Sequence, residues 1–135
     1  MTLKETIENV EVFHDAFGIE NRSEPTAKLS HDQQQLRYRL MAEENDEYLE
    51  AVKNEDLVEI ADALGDQLYI LCGTILKHGL QHKIADVFRE IQRSNMSKLD
   101  ENGKPIYRGD GKVMKSSLYF KPDIKAILDL SLIHI

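Results

Sequence analysis

Apolar residues recur at Leu3, Ile7, Val10, Phe13 or His14, and Phe17. These steps of three and four predict an amphipathic helix over 2–17, stopped at Gly18. Residues 19–29, with "ENRSEPTAK", lose the period and read as a loop. Ser30 is placed to cap a second helix, with Gln33 in capping-box position three residues on. Leu36, Leu40, Glu43 or Glu44, Glu47 and Ala51 carry the helical spacing to about Lys53, where Asn54 breaks it. A third helix is expected over 55–78. Its apolar stripe is broad, from Leu57, Ile60 and Leu64 to Leu71, Cys72 and Ile75, and His78–Gly79 is a natural ending. Ile84, Val87, Phe88 and Ile91 predict a shorter fourth helix over 82–93.

The pattern then changes. "IYR" and "KVM" flank "GDG", the mark of a small β-hairpin, and Pro122 opens a last short helix, "DIKAILDL". The expected fold is all-α: a four-helix bundle-type core over about 2–93, with a turn-rich basic appendage over about 94–135. Without repeats or low-complexity stretches, residues 1–135 read as a single domain. Wide apolar stripes are usually buried in bundles, and the third helix carries leucine and isoleucine on several faces. A homodimer or homotetramer is therefore expected. The apolar ending "LDLSLIHI" is either a docking segment for a partner subunit or incidental.

Composition narrows the function classes. The chain has 135 residues, 41% hydrophobic and 30% charged, which is ordinary for a globular protein. The longest apolar run, "LYILCGTIL", falls well short of the roughly 18 residues a membrane span needs. Acids interrupt the apolar rhythm of the N-terminus, so no signal peptide is expected. A single cysteine, Cys72, inside an apolar run reads as a core residue and fits the cytoplasm. The net charge of −7 is uneven: residues 1–92 hold 9 basic and 19 acidic side chains, residues 93–135 hold 8 and 5. An acidic body is a poor binder of nucleic acid through phosphate contacts.

Nine of the acids fall within residues 43–62, "EENDEYLEAVKNEDLVEIAD". Glu47 lies four residues after Glu43 and three after Glu44, so it neighbours both on one helix face. Glu59 and Asp62 are three apart on the next helix, and Asp66 is four beyond Asp62. A short turn at 54–56 brings the two helices back antiparallel, with both groups of acids at similar depth. Like charges at these spacings repel unless a cation lies between them. A solvated acidic face and a divalent-cation site both fit the spacing. A di-iron site does not, because Asp62 stands where a Glu-x-x-His pair needs histidine.

"EENDE" followed by "EIAD" resembles the EExxE…ExxD signature of the all-α nucleoside triphosphate pyrophosphohydrolases, the superfamily of MazG, the dimeric dUTPases, dCTP pyrophosphatases and phosphoribosyl-ATP pyrophosphohydrolase. "VEVFHDAFGI", "LRYRLMAEE", "DALGDQLYILCGTILKHGL" and "SNMSKLDENGKPIYRGDGKVMK" are similar to blocks of a MazG-like branch. The resemblance implies Mg²⁺-dependent cleavage of a nucleoside triphosphate to monophosphate and pyrophosphate, with Mn²⁺ as a substitute and a house-cleaning role. It implies Glu43, Glu44, Glu47, Glu59 and Asp62 as the metal and water site, one of them the general base, for which Glu44 is the candidate ahead of Glu43 and Glu47, and Asn95 and Lys98 as nucleotide contacts. Asp66 stays outside this core site. His14 is a candidate base contact, as are Gln35 and Arg37. A dUTP preference suits the branch that looks nearest, and the histidine-biosynthesis branch, which lacks a long basic tail, suits less well. The competing expectation is a non-catalytic helical scaffold or regulatory dimer whose acids are structural or solvated.

Overall fold

A computed structural model of the protein describes residues 1–130. The chain is predominantly helical, with one small hairpin, and divides into two compact units, 1–81 and 82–135.

The first unit holds α1 (Leu3–Ala16), α2 (His31–Lys53) and α3 (Leu57–Lys77). Each start has a side-chain cap. Thr2 and Glu5 form a reciprocal capping box at α1, Ser30 Oγ accepts from the Gln33 amide at α2, and Asp56 accepts from the Glu59 amide at α3. Such caps satisfy N–H groups that the first helical turn leaves without partners. α3 lies against both other helices. It contributes Ala63, Cys72, Ile75 and Leu76 to the core, and α1 contributes Ile7 and Val10. Cys72 is fully buried, as its apolar setting predicts, and burial pushes its thiol pKa up. Phe13 of α1 meets the Tyr69 ring edge-on at 5.6 Å.

The α2–α3 register is fixed by polar bonds. Gln67 Nε2 donates to Asn45 Oδ1 at 3.3 Å, and Arg37 Nε donates to Thr74 Oγ1 at 3.1 Å. Arg37 and Asn45 lie on α2, Thr74 and Gln67 on α3, and the earlier residue of α2 meets the later one of α3, so the helices run antiparallel. The turn itself is tight: the Asp56 amide donates to the Ala51 carbonyl at 3.1 Å, and Glu55 sits at φ 51°.

The long loop after α1 is tied to the end of α3. The amide of Arg22 donates to the Leu76 carbonyl at 3.0 Å and that of Thr26 to the His78 carbonyl at 2.9 Å. Gly79 makes this docking possible. It adopts φ +65°, and a β-carbon there would lie 2.0 Å from the Glu24 carbonyl oxygen.

The second unit holds α4 (Ile84–Met96), the hairpin β1 (Ile106–Tyr107) and β2 (Val113–Met114), and α5 (Ile124–Asp129). The strands are antiparallel, Ile106 opposite Met114 and Tyr107 opposite Val113. α4, expected with the helical core and ending near residue 93, falls in this unit and continues to Met96. The reason is tertiary: Ser94 is buried, and its hydroxyl donates to the Phe120 carbonyl at 2.8 Å. The tail is fastened further where the Asp123 amide donates to Glu90 Oε2 at 2.8 Å and the Arg93 guanidinium stacks 4.3 Å above the Phe120 ring. The terminal "LDLSLIHI" extends past the described residues. No helix among the described residues is long and apolar enough to cross a membrane.

Candidate active site

Antiparallel packing of α2 on α3 converts two linear groups of acids into one surface. Carboxylate oxygens of Glu44, Glu47 and Asp66 lie within 4.8 Å of one another. Beside them, toward the inter-helix turn, is a cleft of about 430 Å³ lined by Glu47, Glu50, Asp56, Glu59 and Asp62. Glu47 belongs to both groups. Among the described residues, no lysine or arginine forms an ion pair with any of these seven acids.

The electrostatic consequence falls on Glu44. Its pKa is pushed up to about 7, first by burial, then by contact with the Glu47 carboxyl and by the charges of Glu47, Asp66 and Asp62. Glu44 Oε2 is buried and has no hydrogen-bond partner among the described residues. A buried carboxylate oxygen without a donor is unfavourable, and crowding three carboxylates adds repulsion. Hard cations remove both penalties, since they take carboxylate oxygens as ligands. The donor set therefore fits a divalent metal.

The acids expected at the site separate as follows. Glu44 joins Glu47 and Asp66, while Glu59 and Asp62 line the cleft with Glu47. Glu43 is exposed and joins neither group. Glu50 and Asp56 have helix-end roles as well as a place on the cleft wall: Glu50 Oε1 lies 3.5 Å from Asn54 Nδ2, and Asp56 caps α3. Asp66, left outside the site on sequence grounds, sits within the tightest cluster. Its signal was present in the four-residue step from Asp62, but the helix register was needed to read it. Asn45 bonds to Gln67, so in the antiparallel pair Asp66 lies within a turn of the level of Glu44 and Asp62 more than a turn farther along.

Residues outside the acids are placed as follows. His14 is 3% exposed, and its Nδ1 lies 2.6 Å from Asn21 Oδ1. A β-carbon on Gly73 would stand 3.0 Å from His14 Nε2, so both ring nitrogens face protein groups in the packed interior. Gln35 is exposed on α2. Asn95 is exposed in the last turn of α4, and Lys98 follows the helix end, its amide donating to the Asn95 carbonyl at 3.1 Å. Arg108 of the hairpin is held by Asp110.

Residues 10–95 match the family model of phosphoribosyl-ATP pyrophosphohydrolase, a span that contains every acid of the cluster and the cleft. The chain belongs to this family. It is thereby an all-α pyrophosphohydrolase of the MazG-like superfamily, a hydrolase of acid anhydrides acting on a nucleoside triphosphate, in a family that is typically metal-dependent. No individual curated protein matches the chain. The matching family is the branch that the basic tail had counted against. The match ends at residue 95, so nearly all of that tail lies outside it and does not bear on membership.

Proposed function

We propose that the protein hydrolyses a nucleoside or deoxynucleoside triphosphate to monophosphate and pyrophosphate with Mg²⁺, Glu44, Glu47 and Asp66 forming the heart of the metal site and Glu59 and Asp62 its second wall. The observation that carries this reading is the buried, unpartnered Oε2 of Glu44 among neighbouring carboxylates. When bound, Mg²⁺ supplies charge neutralisation for the triphosphate and acidifies water. Glu44 holds the attacking water and takes one of its protons as the water adds across the α–β phosphoanhydride. Glu47 belongs to both acid groups and would hold the metal together with Glu44 and Asp66, and Glu43 would assist from the rim. For Asn95 and Lys98 we propose contact with the nucleotide, through amide hydrogen bonding and phosphate neutralisation.

Two substrates lead the list. A dUTP preference follows the branch of the superfamily that the sequence most resembles. Phosphoribosyl-ATP follows the matched family. A homo-oligomer is supported by large apolar side chains left at the surface of α3, with Leu57 77% and Val58 75% exposed. Pyrophosphate release measured over a panel of dNTPs, NTPs and phosphoribosyl-ATP, with Mg²⁺, Mn²⁺ or EDTA, tests the reading. Release from at least one triphosphate that stops in EDTA is expected. Absence of release from every substrate at high enzyme concentration would favour a non-catalytic scaffold.

A further inference from the structure

The same helix pair carries a site of opposite charge about 10 Å along α2, the rise of the seven residues from Arg37 to Glu44. Where the loop after α1 crosses the start of α2 and the end of α3 there is a cavity of about 570 Å³. Three cations, Arg22, Arg37 and Lys77, line it. Arg37 is 6% and Lys77 7% exposed, a degree of burial that charged side chains rarely reach unpaired.

Their protein partners are all neutral. Lys77 Nζ donates to the Glu20 carbonyl at 2.6 Å, and Arg37 donates to Thr74 Oγ1 and to the Ile70 carbonyl. Among the described residues, no carboxylate forms an ion pair with Arg37 or Lys77. The Glu20 carboxylate is engaged by Arg22 at 2.9 Å. Burial lowers the pKa of both Arg37 and Lys77; at Lys77 the Glu20 carboxylate opposes that shift and the charges of Arg22 and Arg37 add to it, so the three cations and Glu20 stand close together. An ammonium has three donors and a guanidinium five. Lys77 gives one hydrogen bond to protein and Arg37 two, and Arg37 Nη1 has no partner among the described residues.

We propose that this cavity is an anion-binding site for a phosphate group carried by a small organic molecule. Three cations against the single carboxylate of Glu20 leave two positive charges, which match a phosphate dianion. The cavity is several times larger than a bare phosphate, and Ile19, Leu29, Leu36 and Leu40 make the rest of its wall apolar. That wall suits the organic body of the ligand. Gln33, also on the wall, offers an amide for orientation. The site is separate from the acidic cleft, which would repel an anion in the absence of metal.

The test is thermal unfolding of the full chain in EDTA at constant ionic strength, with ribose 5-phosphate, inorganic phosphate or ribose as probe. Excluding divalent cations silences the acidic cleft, so the outcome does not depend on the reaction proposed for it. Ribose 5-phosphate is expected to raise Tm in a saturable manner, inorganic phosphate to do so more weakly, and ribose not at all. Lys77→Met should weaken ribose 5-phosphate binding by about tenfold or more, the scale of one lost hydrogen bond to a charged group. Gln33→Glu, at a less buried position, should do the same and stands in if Lys77→Met does not fold. No shift beyond that of equal sodium chloride, or an unchanged shift in the folded variants, would overturn the site. An inorganic phosphate shift equal to that of ribose 5-phosphate would overturn its assignment to an organic phosphate.

Discussion

Glu44 of α2 and Asp66 of α3 face each other across the antiparallel helix pair and, with Glu47, bring three carboxylate oxygens within 4.8 Å. Neither carboxylate has a basic ion-pair partner among the described residues. The arrangement is unfavourable for an empty protein and favourable for one that holds a cation, and three of the predictions below rest on that contrast.

The metal-free protein should lose stability as pH rises through the titration range of Glu44. Its pKa is raised from 4.5 to about 7 on folding. Between these values the native state holds a proton that the unfolded chain releases, so this group's contribution is fully favourable below about 4.5 and lost by about 7. Glu44→Gln should therefore gain stability relative to wild type at pH 8 in EDTA, compared with the same difference at pH 5. Urea unfolding at the two pH values measures it. Equal differences would mean that Glu44 is not crowded as described.

Asp66 and Glu43 should behave differently. Asp66→Asn removes a charge from the tight cluster and is expected to raise the Mg²⁺ concentration for half-maximal turnover about tenfold or more. Glu43→Gln, exposed and outside both acid groups, should change it by about twofold or less. Metal titrations of the two variants side by side decide between the cluster and the linear signature as guides to the ligands.

The first unit depends on Gly79. Gly79→Ala would combine a left-handed backbone with a 2.0 Å approach to the Glu24 carbonyl. We expect it to cost about 2 kcal/mol or more and to release the 19–30 loop from α3. Denaturant midpoints, together with hydrogen exchange at the Arg22 and Thr26 amides, report the two effects.

The turn between α2 and α3 holds the opposite opportunity. Glu55 sits at φ 51°, a left-handed position that helix ends usually give to glycine. Glu55→Gly should stabilise the protein by about 0.5 kcal/mol, the left-handed strain relieved exceeding the glycine entropy cost. Equilibrium unfolding at neutral pH measures it, and pyrophosphate release should be unchanged because Glu55 does not line the cleft.

Much of this was readable in the chain because the relevant chemistry is local. Ser30 caps α2 through the Gln33 amide, Asp56 caps α3, and the glycines around Asp110 turn the hairpin, all within a few residues. What was not readable depends on distant partners. α4 runs past residue 93 because Ser94 finds the Phe120 carbonyl 26 positions away. His14 looked available beside two phenylalanines, but Asn21 and the missing side chain of Gly73 enclose it. The acids were visible as a group, and their spacing put Glu44 and Glu47 on one face of α2 and Glu59 and Asp62 on one face of α3. Which of them meet is a matter of register between two helices, set by bonds such as Asn45 to Gln67, and a single-helix spacing argument does not contain it. The basic cavity was hidden for the same reason, since the Lys77 ammonium and the Glu20 carbonyl are 57 residues apart.

The central claim is that Glu44 is a working group of a metal-dependent triphosphate hydrolase, and single-turnover pyrophosphate release by Glu44→Gln, at saturating Mg²⁺ and with the best substrate of the panel, tests it most directly. The account predicts a fall of about a hundredfold or more relative to wild type, with the folded state retained. Release at the wild-type rate would contradict it.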